Sequence, residues 1–136
     1  MLKNLLIISM CLFSCPLFAI DFPIEISEYF DDVKVDVFIN EEDLNQSKPW
    51  QPFESSPPLS MNQALMAIKD IEDSESVYSD AKVIGIELKP VPHHKSYWHY
   101  LAKLKVMSED GPESAYYVVL MNGKVIPAIK EPESIK

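Results

Sequence analysis

The sequence predicts an α+β domain: one helix packed on a four- to five-stranded antiparallel sheet, after an N-terminal signal peptide. Three observations carry that expectation. Met61, Ala64, Leu65, Ile68 and Ile71 recur at three- and four-residue spacing, which gives a helix one apolar face. Several later runs alternate apolar and polar residues, the period of a half-buried strand. Asn122-Gly123 stands between two apolar runs, a strong short-range hairpin signal.

The elements follow in order along the chain. Residues 1–19 have the layout of a secretory signal: Lys3 near the start, the apolar run LLIISMCLF at 5–13, Pro16, and Ala19 at the expected cleavage position. The run is shorter than the ~20 apolar residues that span a bilayer. The expected product is therefore exported and periplasmic, with no membrane span in its mature form. A second processing route exists, because Leu12-Phe13-Ser14-Cys15 resembles a lipobox and would leave the protein lipid-anchored through Cys15. Both cysteines, Cys11 and Cys15, lie in this leader, so the domain after it has no disulfide framework and no thiol nucleophile.

Residues 20–59 are expected to form an N-terminal strand and a Pro-rich strap. In VKVDVFI, residues 33–39, the odd positions are apolar and predict a strand. Residues 20–32 carry few signals. Pro49, Pro52, Pro57 and Pro58 exclude regular structure across 40–59, and Trp50 and Phe53 in that strap are expected to pin it to the core.

Residues 60–127 make the expected core. Ser60 with Gln63 three residues on forms a capping box, and the helix runs to about Asp73-Ser74. KVIGIELKPV alternates through Ile84, Ile86 and Leu88. In SYWHYLAKLKVM, Trp98, Tyr100, Ala102, Leu104 and Val106 share one face. Tyr97, His99, Leu101, Lys103 and Lys105 take the other, more polar one. AYYVVLM is apolar on both faces, as a central strand should be, and Lys124-Val125-Ile126 pairs back after the turn. Residues 128–136 read as a flexible tail.

The formal charge is −9 and arginine is absent, so the clustered Arg and Lys that nucleic acid requires are missing, and no nucleic-acid partner is expected. Catalysis finds no support either. There is no G-x-S-x-G elbow or phosphate loop, and the acidic pairs read as solvated runs, so no catalytic residue and no cofactor is assigned. All three histidines fall in PHHKSYWHY. His94 and His99 with Glu87 from the preceding strand are the candidate metal ligands, since two imidazoles and a carboxylate suit Zn²⁺ or Cu²⁺. The candidate binding residues are Trp50, Phe53, Tyr97, Trp98 and Leu101, as an apolar or aromatic face for a ligand or for a peptide added to a sheet edge.

The order of the helix MNQALMAIKDI, the strand pair around VIGIELKPV and YWHYLAKLKV, and the closing YYVVLMNGKVI resembles PepSY-type domains of exported bacterial proteins over residues 60–127. Asn122 stands where that family often has an acidic residue and a longer turn. Cystatin-like and nuclear-transport-factor-like arrangements share the same helix-plus-sheet order. The PepSY-type resemblance implies a non-catalytic module that binds an envelope protein or peptide, restraining a peptidase or assisting another envelope protein, with no active-site residue to carry over. The runner-up expectation is a small-ligand or metal binder using the aromatic, histidine-bearing face.

Overall fold

The computed structural model describes residues 22–75 and 81–131. The expected signal peptide, its expected cleavage position and Cys15 lie outside the described residues. Six strands and two helices follow in the order β1 (Ile24–Phe30), β2 (Val33–Ile39), α1 (Glu41–Gln46), α2 (Met61–Glu75), β3 (Lys82–Val91), β4 (His94–Ser108), β5 (Gly111–Leu120) and β6 (Val125–Lys130). All strand pairs are antiparallel in one sheet, ordered β1-β2-β6-β5-β4-β3.

This overturns the expected α+β arrangement of one helix on a four- to five-stranded sheet. The fold is mostly sheet: six antiparallel strands curl into a half-barrel that carries only two helices. Two elements account for the difference. β1 alternates Ile24, Ile26, Glu28 and Phe30 toward the inside, and the inward Glu28 interrupts the apolar period that would have announced a strand. α1 fits between Asn40 and the first proline of the strap, and only Leu44 of its six residues is buried. Six residues with one apolar anchor give no readable period.

The curl creates two cores on opposite faces of the same sheet. The inner one gathers Ile26, Phe30, Val35, Val37 and Ile39 of the β1–β2 hairpin with Leu101, Tyr116, Val118 and Leu120 of β4 and β5, and Leu44 closes one end. The outer one places Ala64 and Ile68 of α2 against Tyr100, Ala102, Leu104, Tyr117 and Val119. β5 lies between β6 and β4, and its buried run Tyr116–Leu120 serves both cores, which explains why neither of its faces is polar.

The turns follow local chemistry. The Ser60–Gln63 capping box forms in both directions: Gln63 N–H donates to Ser60 Oγ (3.1 Å) and Ser60 N–H donates to Gln63 Oε1 (2.8 Å). At the β5–β6 hairpin Gly123 takes φ +88°, and Asn122 contributes its side chain, accepting the Lys124 N–H at 3.0 Å. Pro92-His93 joins β3 to β4, with His93 at φ +63°, a conformation histidine tolerates better than bulkier or branched residues.

The strap is tied down at several points. Trp50 N–H donates to the Ser96 carbonyl (2.9 Å), and its indole N–H donates to the Ser55 carbonyl (3.0 Å). Its ring meets Trp98 edge-on at 5.3 Å. Ser47 Oγ accepts the buried Met121 N–H (3.2 Å). Further along, the Tyr100 hydroxyl donates to the Leu59 carbonyl (2.7 Å).

Burial raises the pKa of that Tyr100 phenol above its ordinary value of 10.0. The folded state thus holds the proton more tightly than the unfolded state does. The resulting stabilisation is complete below pH 10 and is lost as pH rises through the raised value. Tyr100→Phe is expected to cost about 1 kcal/mol at neutral pH, from the lost hydrogen bond. It is also expected to show a shallower fall in urea-unfolding stability above about pH 10. An unchanged alkaline slope in the variant would assign that fall to other groups.

Candidate functional site

The half-barrel leaves a seam where its two edge strands, β1 and β3, approach each other, and side chains rather than a backbone ladder close it. On β1, Ile26, Glu28 and Phe30 point inward. On β3 and β4 the pairs Glu87↔Leu101 and Lys89↔His99 place Glu87, Lys89 and His99 on that same inner face. The result is a charged cluster at the rim of an apolar core. His99 Nε2 stands 2.8 Å from Glu28 Oε1, with His99 wholly buried and Glu28 8% exposed. The ring N–H is not aligned on that oxygen, so the contact is a close approach of two polar groups and not a formed hydrogen bond. Lys89 Nζ lies 3.5 Å from Glu28 and 3.1 Å from Glu87, and donates to the Tyr29 carbonyl at 2.8 Å. That last bond satisfies a carbonyl on the free edge of β1.

Next to this cluster the seam becomes steric. Phe30 lies so close over β3 that a Cβ added to Gly85 would stand 2.7 Å from its Cζ. Glycine is required there by the approach of the ring, not by its backbone angles. Lys103 reaches Asp31 in the β1–β2 turn (3.4 Å) and lies over the rings of Phe30 and Tyr116 at 5.8 and 5.9 Å.

The proposed metal ligands are not assembled by this geometry. His99 faces Glu28, Glu87 is engaged by Lys89, and His94 sits at the start of β4 opposite Val91. Among the described residues no group of three histidine, cysteine or carboxylate side chains is placed to hold a metal ion. The expectation that His99 lies on the polar side of its strand is corrected as well. Its face becomes the inside of the half-barrel once β1 and β2 fold over it, and Leu101 beside it is fully buried.

The proposed binding residues are divided between the two sheet faces. Tyr97 and Leu101 belong to the inner core. Trp98 belongs to the outer face, where Trp50 packs on it. Phe53 stands wholly in solvent at φ +72°. They form no common surface.

A different surface was missed. The outer face of β1, β2 and β6 carries exposed Tyr29, Phe38 and Ile129. β2 places Phe38 outward opposite Glu25 on β1, and Ile129 on β6 lies beside Asp36. α2 packs on the outer face of β4 and β5 and reaches only the start of β6 at Val125, so among the described residues nothing covers Tyr29, Phe38 or Ile129. The signal was present in Phe38, an apolar residue at a position of β2 where Lys34 and Asp36 are polar. Among the described residues no helix is long and apolar enough to cross a membrane. No protein-family model, no curated protein and no solved structure matches this chain.

Proposed function

We propose that the chain is a non-catalytic, exported binding module that works by contact with another envelope protein or peptide. The observation that carries this reading is the exposure, among the described residues, of Tyr29, Phe38 and Ile129 on the outer face of β1, β2 and β6. Tyr29 and Ile129 are 60% exposed there and Phe38 47%, on three adjacent strands and among polar neighbours. The three side chains flank the Ser27–Asp36 hydrogen bond, and a mixed apolar and polar face of this kind is what a protein partner covers. The PepSY-type resemblance points the same way, to restraint of a peptidase or assistance of another envelope protein. The leader supports an envelope setting.

The test is a photo-crosslinking side chain placed at position 38 or 129 of the full chain in living cells. One discrete adduct from both positions, and none from the same group at Glu109 on the β4–β5 turn, is the expected result. Equal labelling at all three positions, or none at 38 and 129, would refute the assignment.

A further inference from the structure

At the open end of the half-barrel lies a cleft of about 600 Å³, lined by Ile84, Lys103, Lys105, Pro112, Glu113, Ser114 and Lys130. The sheet register gathers these residues. Lys103 and Lys105 alternate onto the inner face of β4, and Ser114 of β5 pairs with Lys105. On β6, Lys130 comes alongside, two residues past Ala128, the partner of Tyr116. The register shift between Val83 and Gly85 makes Ile84 the extra residue of a bulge, and bulges commonly turn a side chain out of its regular direction.

The charge of this cleft runs against that of the chain. The protein carries −9, yet three lysines meet here against Glu113 in the lining and Asp31 beside Lys103. Lys105 and Lys130 form no ion pair with any described residue. Two cations that no described residue pairs with, around a cavity of ligand size in an acidic protein, form a ready place for an anion. Ile84 and Pro112 supply apolar wall, and the Lys103 ammonium is held by Asp31 and the two rings beneath it, so one of the three charges is pre-positioned.

We infer that this cleft binds a compact organic anion, its carboxylate held by Lys105, Lys130 and the Ser114 hydroxyl and its apolar body against Ile84 and Pro112. The site is separate from the outer face of β1, β2 and β6 and does not depend on the protein-contact reading. Glu113 sets its selectivity, since a second carboxylate on the ligand would meet a like charge there. Binding weakens as salt rises, because the lysines are open to solvent.

The experiment is an NMR titration of the ¹⁵N-labelled full chain with sodium benzoate and, separately, with inorganic phosphate. Saturable benzoate shifts confined to the amides around Lys103, Lys105, Ser114 and Lys130 are expected. Lys105→Gln and Lys130→Gln should each weaken the affinity about tenfold, the effect of one lost charge-assisted contact. Lys48→Gln, at an exposed lysine outside the cleft, should leave it unchanged. Both test lysines are exposed, so the variants should keep the wild-type spectrum elsewhere. Linear shifts spread over all lysines, or tenfold losses absent from both cleft variants, would overturn the site. Saturation by phosphate without benzoate would overturn the organic-anion assignment.

Discussion

Replacing His99 by leucine is expected to destabilise the protein by about 1–3 kcal/mol, the usual cost of leaving a buried polar group without its neighbour. Glu28 would keep only Lys89, 3.5 Å away, and its carboxylate faces the inner core. Glu28→Leu alone should also be costly, because it leaves the wholly buried, polar His99 ring against leucine, without the carboxylate that stands 2.8 Å from it. The double variant Glu28→Leu/His99→Leu should recover most of the loss and end near wild-type stability or above it, since apolar side chains of suitable volume often replace buried pairs without penalty. Lys89 keeps the Tyr29 carbonyl and Glu87 in that background. Urea unfolding of the four proteins gives the coupling directly. Additive single losses would show that the pair is not a unit.

The second large effect concerns the steric half of the same seam. Phe30 is 5% exposed, meets Tyr116 edge-on at 6.2 Å and lies over Gly85. Phe30→Ala is expected to cost about 3–5 kcal/mol, as large-to-small changes of buried aromatics do. Gly85→Ala should cost about 1–3 kcal/mol by forcing the ring away. In a Phe30→Leu background the same Gly85→Ala change should cost markedly less, because the atom that Cβ would strike is gone. Denaturant midpoints of the four combinations decide it. An equal Gly85→Ala cost in both backgrounds would place the strain in the β3 backbone instead.

Much of the sheet was legible because its strands obey simple patterns. Val33, Val35, Val37 and Ile39 face one side of β2, and the two faces of β4 separate as read. β5 sits inside the sheet, as its two apolar faces require, and the Ser60–Gln63 cap opens α2 where expected. What escaped notice has a common cause. An inward glutamate hides the strand that carries it, so Glu28 concealed β1, and without β1 nothing covers the face that holds His99. His99 therefore looked solvent-facing. Trp50 ties the strap down, but the strap, expected to lack regular structure across 40–59, contains α1, and Phe53, treated like Trp50 because it is aromatic and nearby, stands in solvent.

The candidate surfaces were less legible than the fold for a related reason. Both arise from register between strands distant in sequence. Lys130 reaches Ser114 only through the β5–β6 hairpin, and Ile129 reaches Asp36 only because β6 pairs with β2. No local period encodes either meeting. The strongest local motif, PHHKSYWHY, proved to be a turn and a strand whose one buried histidine lies against Glu28 inside the half-barrel.

The junction between β2 and β6 has a consequence for how the molecule opens. Among the described residues only the pairs Val35↔Lys130 and Asp36↔Ile129 join the β1–β2 hairpin to the rest of the ladder, extended by the Glu131 N–H to the Lys34 carbonyl at 3.1 Å. The β3–β4 and β4–β5 pairings are several times longer. The hairpin is thus held chiefly by side chains, and cooperative units bound in that way detach below the free energy of global unfolding. Amide hydrogens at the β2–β6 junction should exchange with solvent ahead of those in the middle of β5. The protein therefore has a preferred order of opening, with the hairpin lifting first while the four remaining strands and α2 stay together.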